Sequence, residues 1–140
     1  MAEAICRHDA AETLEAHSAG SRPAGYVHPL ADHAMKVMGI PLEGHTSKSW
    51  HELGERRFDA VIIVCDSAAC DPWPAWPGDP IRVGWFLPDP AAFIGTEDER
   101  RELACRIAER LRVRIERLAQ LDWSSDRAEL ERRLSQLADL

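Results

Sequence analysis

A thiol and a carboxylic acid occupy comparable places in this chain. Cys65 closes the apolar run Val61-Ile62-Ile63-Val64, and Asp89 lies in a Pro88-Asp89-Pro90 turn that follows a second, alternating stretch. A thiolate can exchange with another sulfur, and a carboxyl beside a departing oxygen can deliver a proton. A second thiol, Cys70, comes five residues after Cys65. In open α/β sheets ligands bind beyond the carboxyl ends of parallel strands. Two such ends bearing reactive groups therefore mark the place to look for a site. On residue pattern alone, Cys65 also suits a buried strand cysteine and Asp89 an exposed turn.

The elements that would position these groups follow from local pattern. Residues 58–65 read as a continuous apolar strand of the kind buried on both faces in a parallel sheet. Ile81, Val83 and Trp85 alternate as a second strand. Between them DPWPAWPGDP holds four prolines and two tryptophans, which excludes helix and central strand and predicts a stiffened flap. A third, half-buried strand is expected at residues 14–18, where apolar or small residues alternate with polar ones.

Helices surround these strands. Residues 1–10 have helical composition but no capping residue, as though the helix were entered midway. Pro29 and Gly39 bracket a second helix, with Leu30, Ala34, Val37 and Met38 on its apolar face. Ser49-x-x-Glu52 and Thr96-x-x-Glu99 have capping-box spacing. The first predicts a short helix ending at Gly54. The second opens a long one to about Leu121, with Leu103, Ile107, Leu111, Ile115 and Leu118 as its apolar stripe and arginines and glutamates as its solvated faces. A last helix carries Leu130, Leu134 and Leu137 and either packs back on the body or pairs with a second copy. Strands alternating with helices predict an α/β fold with a parallel sheet.

Bulk properties narrow the function classes. The 140 residues suffice for one domain with a core. The boundaries expected are a domain at 1–123 and an amphipathic helix at 124–140. A net charge of -7, with arginines interleaved among glutamates, argues against nucleic acid as a partner. No apolar run is long enough to span a bilayer and the start lacks a signal-peptide pattern, so no membrane partner and a cytoplasmic location are expected. Cys6 and Cys105 lie in helical patterns and read as small core hydrophobes. The six histidines form no metal motif, and His45 and His51 read as loop and helix polar residues.

The segments HSAGSRPAG, HPLADHAMKVMGIPLEGHTSKSW, FDAVIIVCD, WPG and GWFLPDPA resemble, in order and spacing, the arsenate reductases of the low-molecular-weight protein tyrosine phosphatase family. The resemblance extends from Met1 to about Leu121. It implies a three-layer fold around a parallel sheet, with a C-terminal helical extension outside the family pattern. The family's first strand feeds a C-x5-R-S loop that holds the nucleophilic cysteine and binds the oxyanion. Here the chain begins at the helix that follows that loop, so the resemblance implies a sheet lacking its first strand. An internal methionine taken as the start, or a truncated gene, is the expected explanation, and the 140-residue chain is expected to be inactive or impaired.

Roles carry over residue by residue. The resemblance implies that Asp89 is the general acid and Cys65 the thiol that attacks the arsenic adduct of the first cysteine. Cys70 is the candidate resolving thiol, although many such reductases place it where this chain has Trp73. Glu3 and Ser18 match positions that order the active-site loop, in some members through a monovalent cation, and Lys48 stands where a carboxylate completes that site. Its ammonium either replaces the cation or faces solvent. The implied substrate is a small oxyanion, arsenate or a phosphomonoester. No tightly bound cofactor is expected, only an external thiol reductant such as thioredoxin, glutathione or mycothiol. The remaining alternatives are a phosphomonoesterase on the same fold and a non-catalytic remnant that dimerises through residues 125–140.

Overall fold

A computed structural model describes residues 1–65 and 71–140. In chain order these residues form α1 (Ala2–Asp9), α2 (Pro29–Val37), a 3-10 turn (Trp50–Leu53), β1 (Ala60–Ile63), β2 (Ile81–Gly84), α3 (Glu97–Leu118), α4 (Arg127–Gln136) and a closing 3-10 turn (Leu137–Asp139). The two strands are parallel, with Ala60 opposite Ile81 and Ile63 opposite Gly84.

Local chemistry sets most of these boundaries. Both capping boxes form: Ser49 and Thr96 accept backbone N–H groups of the turns they open, while Glu52 and Glu99 accept the N–H of the capping residue. Each such cap contributes about 1 kcal/mol. Gly39, at φ +70, closes α2 in a conformation that costs a residue with a Cβ more than it costs glycine. α1 starts at Met1 with no side-chain cap, as its composition predicts.

Three expectations need correction. Residues 14–18 form no strand; the nearest parallel pairing is an isolated bridge between Gly20 and Ser49. Alternation alone does not make a strand without a neighbour to ladder with, and here the Ala16 carbonyl accepts from Arg7 of α1 instead. β1 is shorter than residues 58–65, and Ala60, Val61 and Ile62 are only half-buried. A sheet of two strands gives β1 a strand on one side only among the described residues. The inward face of α2 is Leu30, Ala34 and Met35, while Val37 is 64% exposed. Two residues along a helix turn the side chain by about 200°, so burying Met35 faces Val37 outward.

One buried cluster unites the molecule. Ile81, Val83, Trp85 and Leu87, alternate residues of β2 and its extension, share it with Ala4 and Ile5 of α1, Ala34 and Met35 of α2, the α3 stripe, and Leu130, Leu134 and Leu137. The C-terminal leucines are thus packed back into their own chain, and residues 124–140 share the core of the rest. Arg82, between two inward residues, projects to the opposite side, where its guanidinium lies 5.5 Å from the Trp73 ring. Trp50, Ile63 and Trp76 are buried apart from the main cluster, with Trp76 edge-on to both Trp50 and Phe58. The proline-rich segment is therefore pinned by its tryptophans rather than hanging as a flap.

Candidate active site

Cys65 and Asp89 both follow the carboxyl ends of the two parallel strands. Ile81 N–H donates to the Asp59 carbonyl (3.0 Å) and Trp85 N–H to that of Ile63 (2.7 Å), so donor and acceptor advance in step along the ladder. The next bond runs from Leu87 N–H to Val64 O (3.0 Å), where the donor has advanced two residues and the acceptor one. The offset thus changes by one residue beyond the paired strands, which end at Ile63 and Gly84. Cys65 is the next residue on one strand, half-buried, and Asp89 lies two beyond Leu87 on the other, exposed. Asp89 Oδ1 accepts the Ala91 N–H (2.8 Å) and the Asp89 carbonyl accepts that of Ala92 (3.2 Å). The turn thus holds one carboxylate oxygen with its own backbone. Cys70 lies outside the described residues.

A second cluster surrounds Glu3 in the first turn of α1. This residue is 5% exposed, and its carboxylate accepts a short hydrogen bond from the Ser18 hydroxyl. Arg7, one turn on, pairs with Oε1 at 2.6 Å, while Lys48 Nζ stands 3.5 Å from Oε2 and His45 Nδ1 3.8 Å from Oε1. Burial is the largest single influence and pushes the carboxyl upward, but the Ser18 hydroxyl together with Lys48, Arg7 and His45 outweighs it and holds Glu3 below its ordinary range. Glu3, Ser18 and Lys48 are therefore together, with the Lys48 ammonium on the carboxylate. That ammonium also donates to the Thr46 carbonyl (3.4 Å).

Other residues fall on either side of expectation. Cys6 is buried in α1, and burial pushes its thiol up despite the Arg7 charge. The Cys105 thiol is also raised, by burial and by Glu109. Neither has the electropositive, accessible setting of a reactive thiolate. His45 belongs to the Glu3 cluster, which its loop position in the sequence does not reveal. His51 accepts the Trp50 indole N–H at 3.3 Å. Arg114 is the larger surprise: it lies on a helix face read as solvated, yet it is 2% exposed. Its spacing from Leu111 and Leu118 puts it on the apolar stripe, a signal hidden by the many other arginines of α3. Among the described residues no three His, Cys, Asp or Glu side chains are grouped to hold a metal ion, and no helix is long and apolar enough to cross a membrane.

Residues 1–73 match the family of low molecular weight phosphotyrosine protein phosphatases. The arsenate reductases of Shouchella clausii and Halalkalibacterium halodurans are each 32% identical over 120 residues, spanning 86% of this chain and 85% of theirs. The arsenate reductase of Bacillus subtilis is 30% identical over the same share.

Proposed function

This chain belongs to the low molecular weight phosphotyrosine protein phosphatase family, and from that premise we propose that it is an arsenate reductase-type member in which Asp89 is the general acid and Cys65 the relay thiol. The observation that carries the proposal is the emergence of both residues from the carboxyl ends of adjacent parallel strands. The similarity to reductases across most of both chains supports the same choice.

The chemistry needs a nucleophilic cysteine in an anion-binding loop. None of the four cysteines here has an arginine six positions on, so these 140 residues contain no C-x5-R-S. The finer architecture we propose is a three-layer fold in which the strand bearing that loop pairs with the other edge of β1. Two features support it: β1 has a strand on one side only among the described residues, and residues 14–18 run without a ladder. In the complete reaction the loop thiolate bonds to arsenic as one arsenate oxygen leaves as water, with Asp89 supplying its proton. The Cys65 thiolate then attacks the loop cysteine's sulfur. A sulfur–sulfur bond forms, the sulfur–arsenic bond breaks, and its electron pair reduces arsenic(V) to arsenic(III), which departs as arsenite. Cys70 or an external thiol resolves the disulfide, and thioredoxin, glutathione or mycothiol restores the thiols. Glu3, Ser18 and Lys48 order the base of the loop, and the reaction runs in the cytoplasm.

The family match also favours a second reading, a phosphomonoesterase that uses Asp89 and no second thiol. Cys65→Ser separates the two in a chain that carries the loop. Reductase activity vanishes on the first reading, whereas retained reductase activity overturns it; phosphatase activity survives on the second. The 140 residues alone are expected to show no thiol-dependent arsenate turnover, and robust turnover would refute the need for the loop.

A further inference from the structure

Arg114 is the most deeply buried cation of the described residues, and the hydrogen bonds it donates go to backbone oxygens. Its guanidinium donates to the carbonyls of Trp85 (2.9 Å) and Ala138 and to the backbone oxygen of Leu140 (3.3 Å). It also stands 5.9 Å from the centre of the Trp85 ring. Burial lowers its pKa somewhat, yet a guanidinium keeps its proton under any ordinary condition. A charge so desolvated is costly unless its donors are satisfied, and the planar fork satisfies them on two chain segments at once. One is the C-terminal turn, whose last carbonyls have no helical partner. The other is Trp85, the last residue whose N–H keeps the offset of the paired strands before Leu87 bonds to Val64.

The C-terminal segment grips β2 in two further places. The Trp85 indole N–H donates to the Leu134 carbonyl at 2.8 Å. At the other end, Arg127 donates to the carbonyls of Asp79 (2.7 Å) and Pro80 (3.4 Å), immediately before the strand. The strand that leads to Asp89 is thus bracketed by a segment some fifty residues distant in sequence, at separations of 47 to 49 residues.

We infer that Arg114 is a positioning residue for the Pro88-Asp89-Pro90 turn: by tying the Trp85 carbonyl to the backbone oxygens of Ala138 and Leu140 it makes the set of that turn depend on the C-terminal segment being docked. The inference rests on the proposed function only for the use made of Asp89. Its geometry concerns the turn itself, which three amides report: Leu87 through Val64, and Ala91 and Ala92 through Asp89.

Residue-resolved amide hydrogen exchange on the whole 140-residue chain tests it without turnover. Leu134→Ala serves as the comparison, since it removes core packing of the same segment but keeps the carbonyl that Trp85 holds. In Arg114→Met, the Leu87, Ala91 and Ala92 amides should exchange about tenfold faster, relative to amides of α2, than they do in Leu134→Ala. Arg114→Lys, which keeps the charge but not the fork, should recover only part of that difference. Deleting residues 138–140 removes two of the three acceptors and should loosen the same amides even if Arg114→Met does not fold. Uniform acceleration in both the Arg114 variant and the deletion overturns the inference while leaving the arsenate reductase reading intact; reductase activity retained by Cys65→Ser in a chain that carries the loop does the reverse.

Discussion

Two carboxylates of this chain have opposite settings. Glu3 is buried and bound by a hydroxyl, two side-chain cations and a histidine drawn from three parts of the sequence. Asp89 is exposed, and the hydrogen bonds recorded for it come from its own turn. The lesson is one of availability. A carboxylate surrounded by donors is committed to holding α1 against the loops at Ser18 and residues 45–48, and it cannot leave that post to move a proton. A carboxylate in a short exposed turn, bonded there to its own backbone, stays open to solvent. The same functional group is structural in one place and chemically available in the other.

Breaking the comparison starts with its most heavily bonded member. Glu3→Ala removes the anion that pairs with Arg7, His45 and Lys48, and loss of one partner from a buried ionic cluster costs about 3 kcal/mol. Urea denaturation of the two chains measures it, and a loss as small as that of a surface substitution would mean the cluster is water-filled in solution. Lys48→Met has a smaller effect, of about 1 kcal/mol, with a pH signature. Glu3 is held below its ordinary range, so its contribution is complete above the unfolded-chain value of about 4.3 and disappears as pH falls through the lower folded value. Removing the ammonium makes Glu3 less acidic in the folded chain, so in Lys48→Met the decline on acidification still begins near the unfolded-chain value but is smaller and ends at higher pH. Thermal midpoints followed from pH 6 to 3, roughly the range in which carboxylates titrate, display the displacement. Asp89→Asn stands at the other extreme: asparagine can still accept the Ala91 N–H, so stability should change by less than about 0.5 kcal/mol. A large loss there would erase the contrast between the two carboxylates.

What could be read beforehand depended on how far apart the cooperating residues lie. The capping boxes at Ser49 and Thr96 were legible because donor and acceptor sit three residues apart, and the β2 alternation because it reflects one buried face. Residues 14–18 carry the same alternation without forming a strand, since a strand is defined by its neighbour and no local pattern supplies one. Val37 was placed on the wrong face of α2 because Met35, not Met38, became the centre of burial. The Glu3–Lys48 pairing spans 45 residues and emerged only through family resemblance. His45 and Arg114 were missed for a shared reason: a polar residue is presumed to seek water until the partners that satisfy it are known.

The Arg114 contacts also impose an order of events. Their acceptors follow it by 24 and 26 residues, and Trp85 precedes it by 29. As the chain emerges from a ribosome, α3 appears with this guanidinium still hydrated and with the outer side of β2 uncovered. The core can close only when the segment through Leu140 has followed it out. Because contacts between distant segments form late and leave apolar surface open in the meantime, the nascent chain should depend on chaperone shelter until residues 127–140 have emerged.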